Sequence, residues 1–458
     1  MGANEAVLVP DAIPLGPSSP AYPRLSHAWY VATLLTVGYA LAILDRASIA
    51  LLIQPLQASL HISDTQFGYL QGMAFSLIYS VLGLPVGMLA DKRHRVGILL
   101  GGLILWSLAT MGCGLARSFG ELFAARTLVG VGEAVLVPVA TSLIADFFPP
   151  AIRPKAYGLF VSGSAAGTGA AFMLSGFFLA SAGYLVAHIP IFHGMEHWQV
   201  VFVLCGAPGL ALALLISLTM REPARQETVK AEAKGFPLAE IGALLKRHPL
   251  AFGGLIGGVV MNLTCVYAII GWFPALFIRV HGWSAPQTGW TLGVAMLPIS
   301  LTAALGSGWV ITALTRLGLR DAPLWIMTAS AASMAVFATT ASLAASAGVA
   351  LTFYLLNTCC INWTLSGFYP AIVQITPSHL RGQMVAIQSL ASALIAMTAG
   401  NAAVGYLSQY AFPGTTGVGW ALATVFLVCG GASMALLIGC RGAFHRAAAE
   451  LEANAAKN

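Results

Sequence analysis

Between Asp321 and Arg381, and again between Arg381 and Arg441, 59 consecutive positions carry no Asp, Glu, Lys or Arg. Each run is long enough for two bilayer-crossing helices of about 20 residues, and no surface bathed in water is built from so much uncharged chain. The remaining sequence agrees, with 8% of its 458 residues charged and 58% hydrophobic, against roughly a quarter charged in soluble domains. The apolar excess must face lipid, and a helix, which satisfies its own backbone polar groups, is the element that can do so.

Apolar stretches bounded by charge, Pro or Gly predict twelve spans: near 27–54, 68–90, 96–116, 121–147, 156–182, 198–220, 250–280, 286–314, 322–345, 347–375, 381–408 and 416–440. The expected fold is an all-α integral membrane protein of 12 transmembrane helices in two six-helix bundles. Residues 27–220 form one half and 250–440 the other, with 221–249 as a basic linker and 441–458 as a tail. Residues 1–26 lack the basic start and apolar heart of a signal peptide and read as a disordered lead. Eighteen of the 22 Lys and Arg fall in the lead, the even-numbered connections and the tail, while the odd-numbered connections hold only Arg117 and Arg279. By the positive-inside rule both termini and the linker are cytoplasmic, in a bacterial inner membrane or a plasma membrane. The net charge of +6 thus reports orientation, and nucleic acid is not expected as a partner.

An internal duplication supports the division. Ser63, Gln66, Gly68, Gly72, Gly87 and Arg95 recur as Ser284, Gln287, Gly289, Gly293, Gly308 and Arg316 at one offset of 221 residues. A second echo at an offset of 228 relates Pro149 and Arg153 to Pro377 and Arg381. Parallel six-helix repeats are a transporter architecture, with substrate held between the halves.

The charges that remain inside spans are few: Asp45 and Arg46 in the first span, Arg126 and Glu133 in the fourth. A charge at mid-membrane costs at least about 2.5–3.5 kcal/mol, so a functional return is the default reading. Arg126 and Glu133 are two helical turns apart on one face, about 10 Å by helix rise. Asp45 and Arg46 point about 100° apart on their helix and cannot simply neutralise each other; Arg126 and Glu133 are the available partners. The second half offers neutral groups instead, and Tyr267, Trp272, Asn357, Asn362, Trp363 and Tyr369 are candidates for a substrate cavity suited to an anionic or zwitterionic head with an apolar body.

At the second span's end, Gly87-Met-Leu-Ala-Asp91-Lys92-Arg93-His94-Arg95 combines a Gly that permits close helix approach with an acid and bases that can pair across to helix ends and hold one face shut. With Asp146, Arg153, Arg316 and Arg381 these residues are the expected cytoplasmic gate. The G-x-x-x-D-[RK]-x-x-R pattern resembles the loop motif of the major facilitator superfamily. Asp45-Arg46, Ser63 to Gly68, Arg126-x-x-x-Gly130-x-Gly132-Glu133, Ser142 to Arg153, Arg221-Glu222-Pro223 and Tyr369-Pro370 together resemble its spinster-like branch, over about residues 30–440. Two positions depart from that pattern: His94 stands where a small residue is frequent, and Gly400-Asn401 where a Gly-Pro pair is common. The resemblance implies a rocker-switch secondary transporter of amphiphiles of the lysophospholipid or sphingoid phosphate class. It also implies proton coupling, with Asp45 and Glu133 as titrating carboxylates and Arg46 and Arg126 as their partners. The alternative is a proton symporter of a small organic anion such as an aromatic or sugar acid.

Enzyme chemistry is not expected, since no H-E-x-x-H or G-x-S-x-G frame occurs, and the lack of a phosphate-binding loop argues against a primary pump. No cofactor or metal is expected: His188, His193 and His197 are too loosely spaced for a zinc site, and the seven cysteines read as free thiols. The expected partners are a small-molecule or lipid substrate, protons and membrane lipids, around a monomer.

Overall fold

The computed structural model describes residues 22–226, 238–319 and 321–455. The first part of the lead, the linker's 227–237, Arg320, the last three residues and the side chain of Asp91 lie outside the described residues. Among the described residues, eleven helices are long and apolar enough to cross a membrane. We label the spans α1 (Leu25–Leu60), α2 (Asp64–Gln71 continued by Met73–Lys92), α3 (Arg95–Cys113), α4 (Phe119–Phe147), α5 (Arg153–His188), α6 (His197–Thr219), α7 (Pro249–Arg279), α8 (Ala285–Arg316), α9 (Ala322–Leu343), α10 (Ala347–Ile375), α11 (Ser378–Ala411) and α12 (Gly417–Gly439). The twelfth span, α2, is divided at Gly72.

Helix starts follow the capping residues and not the hydropathy edges. Ser63 accepts from Gln66 N and Ser284 from Gln287 N, so the Ser and Gln shared by the two copies are the N-caps of α2 and α8, and α2 begins at Asp64, four residues before its apolar run. Ser118 and Ser346 cap α4 and α10 in the same way. Apolar content also underestimates α1, which runs on through a tight turn at Ile49–Leu52 to Leu60 and ends on His61 in the left-handed region, φ 51°.

The base-rich end holds the α2–α3 turn, the linker helix Leu238–Arg247 and the C-terminal helix Arg441–Ala455; the other end is base-poor. The halves meet along two seams, α2 with α11 and α5 with α8, and the duplication explains both. A Cβ on Gly72 would lie 2.7 Å from Met397 O, and one on Gly293 would lie 2.6 Å from Gly169 O. These pairs map onto each other, since 72 and 293 differ by 221 and 169 and 397 by 228. Gly68 meets Asn401 O, and Gly289 meets Phe172 O, at 2.6 Å by the same construction. Only Gly lets helix backbones cross this closely. Gly158 on α5, Gly306 and Gly308 on α8 and Gly83 on α2, all toward the base-rich end, would meet nothing within 4 Å. The seams are thus zipped at the base-poor end and parted at the other.

Candidate functional site

The four intramembrane charges converge. Arg46 Nε donates to Glu133 Oε2 at 2.6 Å, and Arg126 Nη1 donates to the Asp45 carbonyl at 2.9 Å. Arg126 therefore reaches the backbone of Asp45 and not its carboxylate; Thr110 Oγ1 donates to Asp45 Oδ2 at 3.0 Å. The local reason is the adjacency of Asp45 and Arg46: one turns toward α3 and α4 while the other swings toward Glu133 and the aromatic rings of α2.

Asp45, Arg126 and Glu133 are buried, whereas the Arg46 side chain keeps 20% exposure. Its guanidinium lies 4.5 Å from the Phe75 ring centroid and 4.8 Å from that of Tyr79, and Phe75 and Tyr79 stack on each other at 5.1 Å. Cation–π contact of this kind stabilises a cation that has lost water. Tyr39 and Tyr267, the latter from the second half, lie within electrostatic range of Arg46. Among the described residues, Asp45 Oδ1, Arg126 Nε and Nη2, and Glu133 Oε1 have no hydrogen-bond partner. A buried polar group left without a partner is costly, so the cluster holds capacity for a proton or a polar ligand group.

The second-half candidates divide. Tyr267 lies within electrostatic range of Arg46, and Asn362 is half-buried. Trp272 and Asn357 are buried: Trp272 Nε1 donates to Asn401 O at 3.1 Å where α7 meets α11, and Asn357 Oδ1 accepts from Ser333 inside the bundle. Trp272 Nε1 and Asn357 Oδ1 thus have partners across helix interfaces, while Asn357 Nδ2 has none among the described residues. Trp363 lines a groove of about 240 Å³ between α8 and α10 with Thr302, Ala303, Gly306, Val310 and Cys359, and Tyr369 is exposed.

Of the residues read as a gate, Arg95 and Arg381 bond to groups of their own half or its linker in this state. Arg95, 1% exposed, donates to Asp146, Ser142, Glu222 and Pro223 O, all within the first half and its linker. Burial works against the Glu222 charge, but Val96 N–H and the Arg95 guanidinium outweigh it and hold the carboxyl below its usual range. Arg316, at the repeat position of Arg95, is exposed; Gln374 stands where Asp146 would map, so the acid that draws in Arg95 has no counterpart at that position. Arg153 Nε and Arg381 Nε each bind the carbonyl five residues back, Phe148 O at 3.3 Å and Thr376 O at 3.2 Å. Lys92 is exposed. The close approach expected at Gly87 is not made: a Cβ there would come no nearer than 4.0 Å to Pro138. Asp91 lies outside the described side chains.

At the base-poor end a clasp that joins the halves is made by residues outside the expected gate set. Arg279 of α7 forks onto Asp64 of α2, with Nη2 at 2.7 Å from Oδ1 and Nη1 at 2.8 Å from Oδ2, while Ser408 of α11 donates to Asp64 Oδ2 at 2.7 Å. Gln57 adds a bond to each partner. Gln71 to Gly271 O and Ser76 with Thr398 continue the closure along α2. One sequence signal pointed here: Arg279 is one of two bases on the odd-numbered connections, where the positive-inside rule disfavours a base.

Comparison with known proteins agrees with this fold. The Major Facilitator Superfamily model matches residues 35–400. A crystal structure described as a bacterial homolog to the human lysosomal transporter Spinster, inward-facing and unoccupied, superposes with a TM-score of 0.76 at 26% identity, covering 93% of this chain and 98% of that one. An MFS-type efflux pump of Mycolicibacterium smegmatis is 27% identical over 66% of this chain and 65% of its own length. A galacturonate transporter of Dickeya chrysanthemi is 32% identical over 46% of this chain and 57% of its own. The chain thus spans about three-fifths of the length of these two curated relatives.

Proposed function

Because the chain belongs to the major facilitator superfamily of membrane transporters, we propose that it is a proton-coupled, alternating-access carrier of an amphiphile with an anionic head. The carrying observation is Arg46: it alone of the buried quartet keeps an exposed face, and aromatic carbon surrounds it on a cleft whose seams part toward the base-rich end. A head binding Arg46 takes it from Glu133, and a carboxylate buried without a partner is relieved by a proton. Parted seams let an apolar tail extend sideways between helices. The positive-inside rule assigns the base-rich end to the cytoplasm, which makes this the inward-facing state, and the likeness to a Spinster homolog crystallised inward-facing supports that assignment. The proposed boundaries remain a lead to residue 26, halves 27–220 and 250–440, and a linker between them.

A second reading, symport of a small organic anion, has its own support: the galacturonate transporter relative and a site with a single exposed guanidinium. Reconstituted protein supplied with lysophosphatidylglycerol or with D-galacturonate, each at neutral and mildly acidic pH, separates the two. The amphiphile reading expects acid-sensitive uptake of the lysolipid that Arg46→Ala abolishes; uptake of galacturonate alone would replace it with the second.

A further inference from the structure

A cavity of about 550 Å³ lies at the base-poor end of the α5–α8 seam. Pro55 of α1, Leu179 of α5, Met195 and Trp198 around the start of α6, and Pro286 of α8 give it apolar walls, and Glu196 and His197 are its ionisable residues. Pro286 is its wall from the second half. The Pro286 carbonyl would lie 3.0 Å from a Cβ on Gly176, so the crossing that closes the seam also completes the cavity.

Glu196 is fixed in place without being neutralised. Ser59 Oγ donates to its Oε1 and Trp198 Nε1 to its Oε2, both at 2.8 Å. Among the described residues no Lys, Arg or His is paired with it. Of the two bases on the odd-numbered connections, Arg279 is forked on Asp64 and Arg117 is not in the lining. A carboxylate has about four lone-pair sites, so Glu196 keeps room for further donors, and the indole of Trp198 beside it adds the aromatic surface that favours an ammonium group. His197, the next residue, is exposed and can donate to a phosphate set beside that ammonium. Phe177 and Tyr184 of α5 and Trp290 of α8 are exposed at the same end; such rings gather at the level of lipid headgroups.

We propose that this cavity binds a phospholipid with an ammonium head, of the phosphatidylethanolamine class, as a resident lipid and not as cargo. Glu196 takes the ammonium, His197 the phosphate and the apolar walls the glycerol end, while the acyl chains run into the bilayer beside α5 and α8. The lipid touches Pro286 while α8 lies on α5 and loses that contact when the seam parts. It therefore binds the closed base-poor end more tightly and shifts the population toward it. Neither the identity of the cargo nor proton coupling enters this inference.

The test uses the full-length chain in nanodiscs of equal parts phosphatidylethanolamine and phosphatidylglycerol, with retained lipid counted by native mass spectrometry. Spin labels at Ile191→Cys and Tyr410→Cys, exposed sites near the base-poor end on opposite halves, report separation in nanodiscs of either lipid. The label background lacks the seven native cysteines. The parent should retain phosphatidylethanolamine over phosphatidylglycerol by up to about fivefold, the scale of an exposed ion pair, and show the shorter separation in it. Glu196→Gln keeps an acceptor for Ser59 and Trp198 but removes the charge, and should bring the two lipids to parity and abolish the difference in separation. Leu179→Trp fills the cavity from the α5 wall, leaves the carboxylate in place and should do the same, which keeps the test decisive if Glu196→Gln fails to fold. Glu240→Gln, an exposed acid at the base-rich end, should change neither reading. A parent without the preference, a preference that survives Glu196→Gln, or an equal loss in Glu240→Gln would overturn the proposal.

Discussion

Adding one methyl group at Gly72 should push the carrier out of the state described here. A Cβ at that position would sit 2.7 Å from Met397 O and 3.0 Å from Thr398 Cα, where ordinary contact begins near 3.4 Å. Both obstacles are backbone of α11 and cannot rotate aside, so the helix itself must retreat. Overpacking of this kind costs about 1–3 kcal/mol. The crossing is tight only while the base-poor seam is closed, so the cost falls on one conformation and shifts the balance roughly 5- to 150-fold away from it. Gly72→Ala should therefore lengthen the label separation between Ile191→Cys and Tyr410→Cys and slow transport, without a comparable loss of monodispersity in detergent. Gly293→Ala, where a Cβ would lie 2.5 Å from Met173 N and 2.6 Å from Gly169 O, should do the same at the other seam. Gly158→Ala, with nothing within 4 Å, is the matched control. Unchanged label distances in both seam variants would refute the reasoning that these crossings set the closed state.

Three further outcomes follow from other contacts. Asp64→Asn should weaken the fork from Arg279 and open the same end, losing about 1–3 kcal/mol of charge-assisted bonding; labelling of Ser408→Cys by a membrane-impermeant maleimide should accelerate, and an unchanged rate would count against the clasp. Arg46→Gln leaves Glu133 buried without a counter-charge, so a melting curve at neutral pH should show destabilisation of about 3–5 kcal/mol, smaller at acid pH where the carboxyl is protonated. For Glu222, whose folded carboxyl titrates below its usual range, the stabilisation is present above the ordinary glutamate range near 4.3 and is lost as pH falls through the lower folded value; the Tm of Glu222→Gln should accordingly fall less steeply with acid than that of the parent.

The sequence alone determined the material and the plan. Charge-free runs of 59 residues force membrane helices because their side chains suit only hydrocarbon, and lone charges within such runs are dear enough to mark a site, so Asp45, Arg46, Arg126 and Glu133 could be singled out. The duplication could be read too, although its purpose could not: Ser63 with Gln66 and Ser284 with Gln287 are helix caps, and Gly72 with Gly293 are seam crossings, roles that exist only once helices pack. Tertiary structure alone decided which polar groups were already satisfied. Trp272 has the chemistry of a cavity residue, yet it spends its hydrogen bond on Asn401 O, because that partner is near in space and distant in the chain. The clasp was hidden for the same reason. Asp64 and Arg279 are 215 residues apart, and their pairing is set by how the two bundles lean together, which no local pattern of residues encodes.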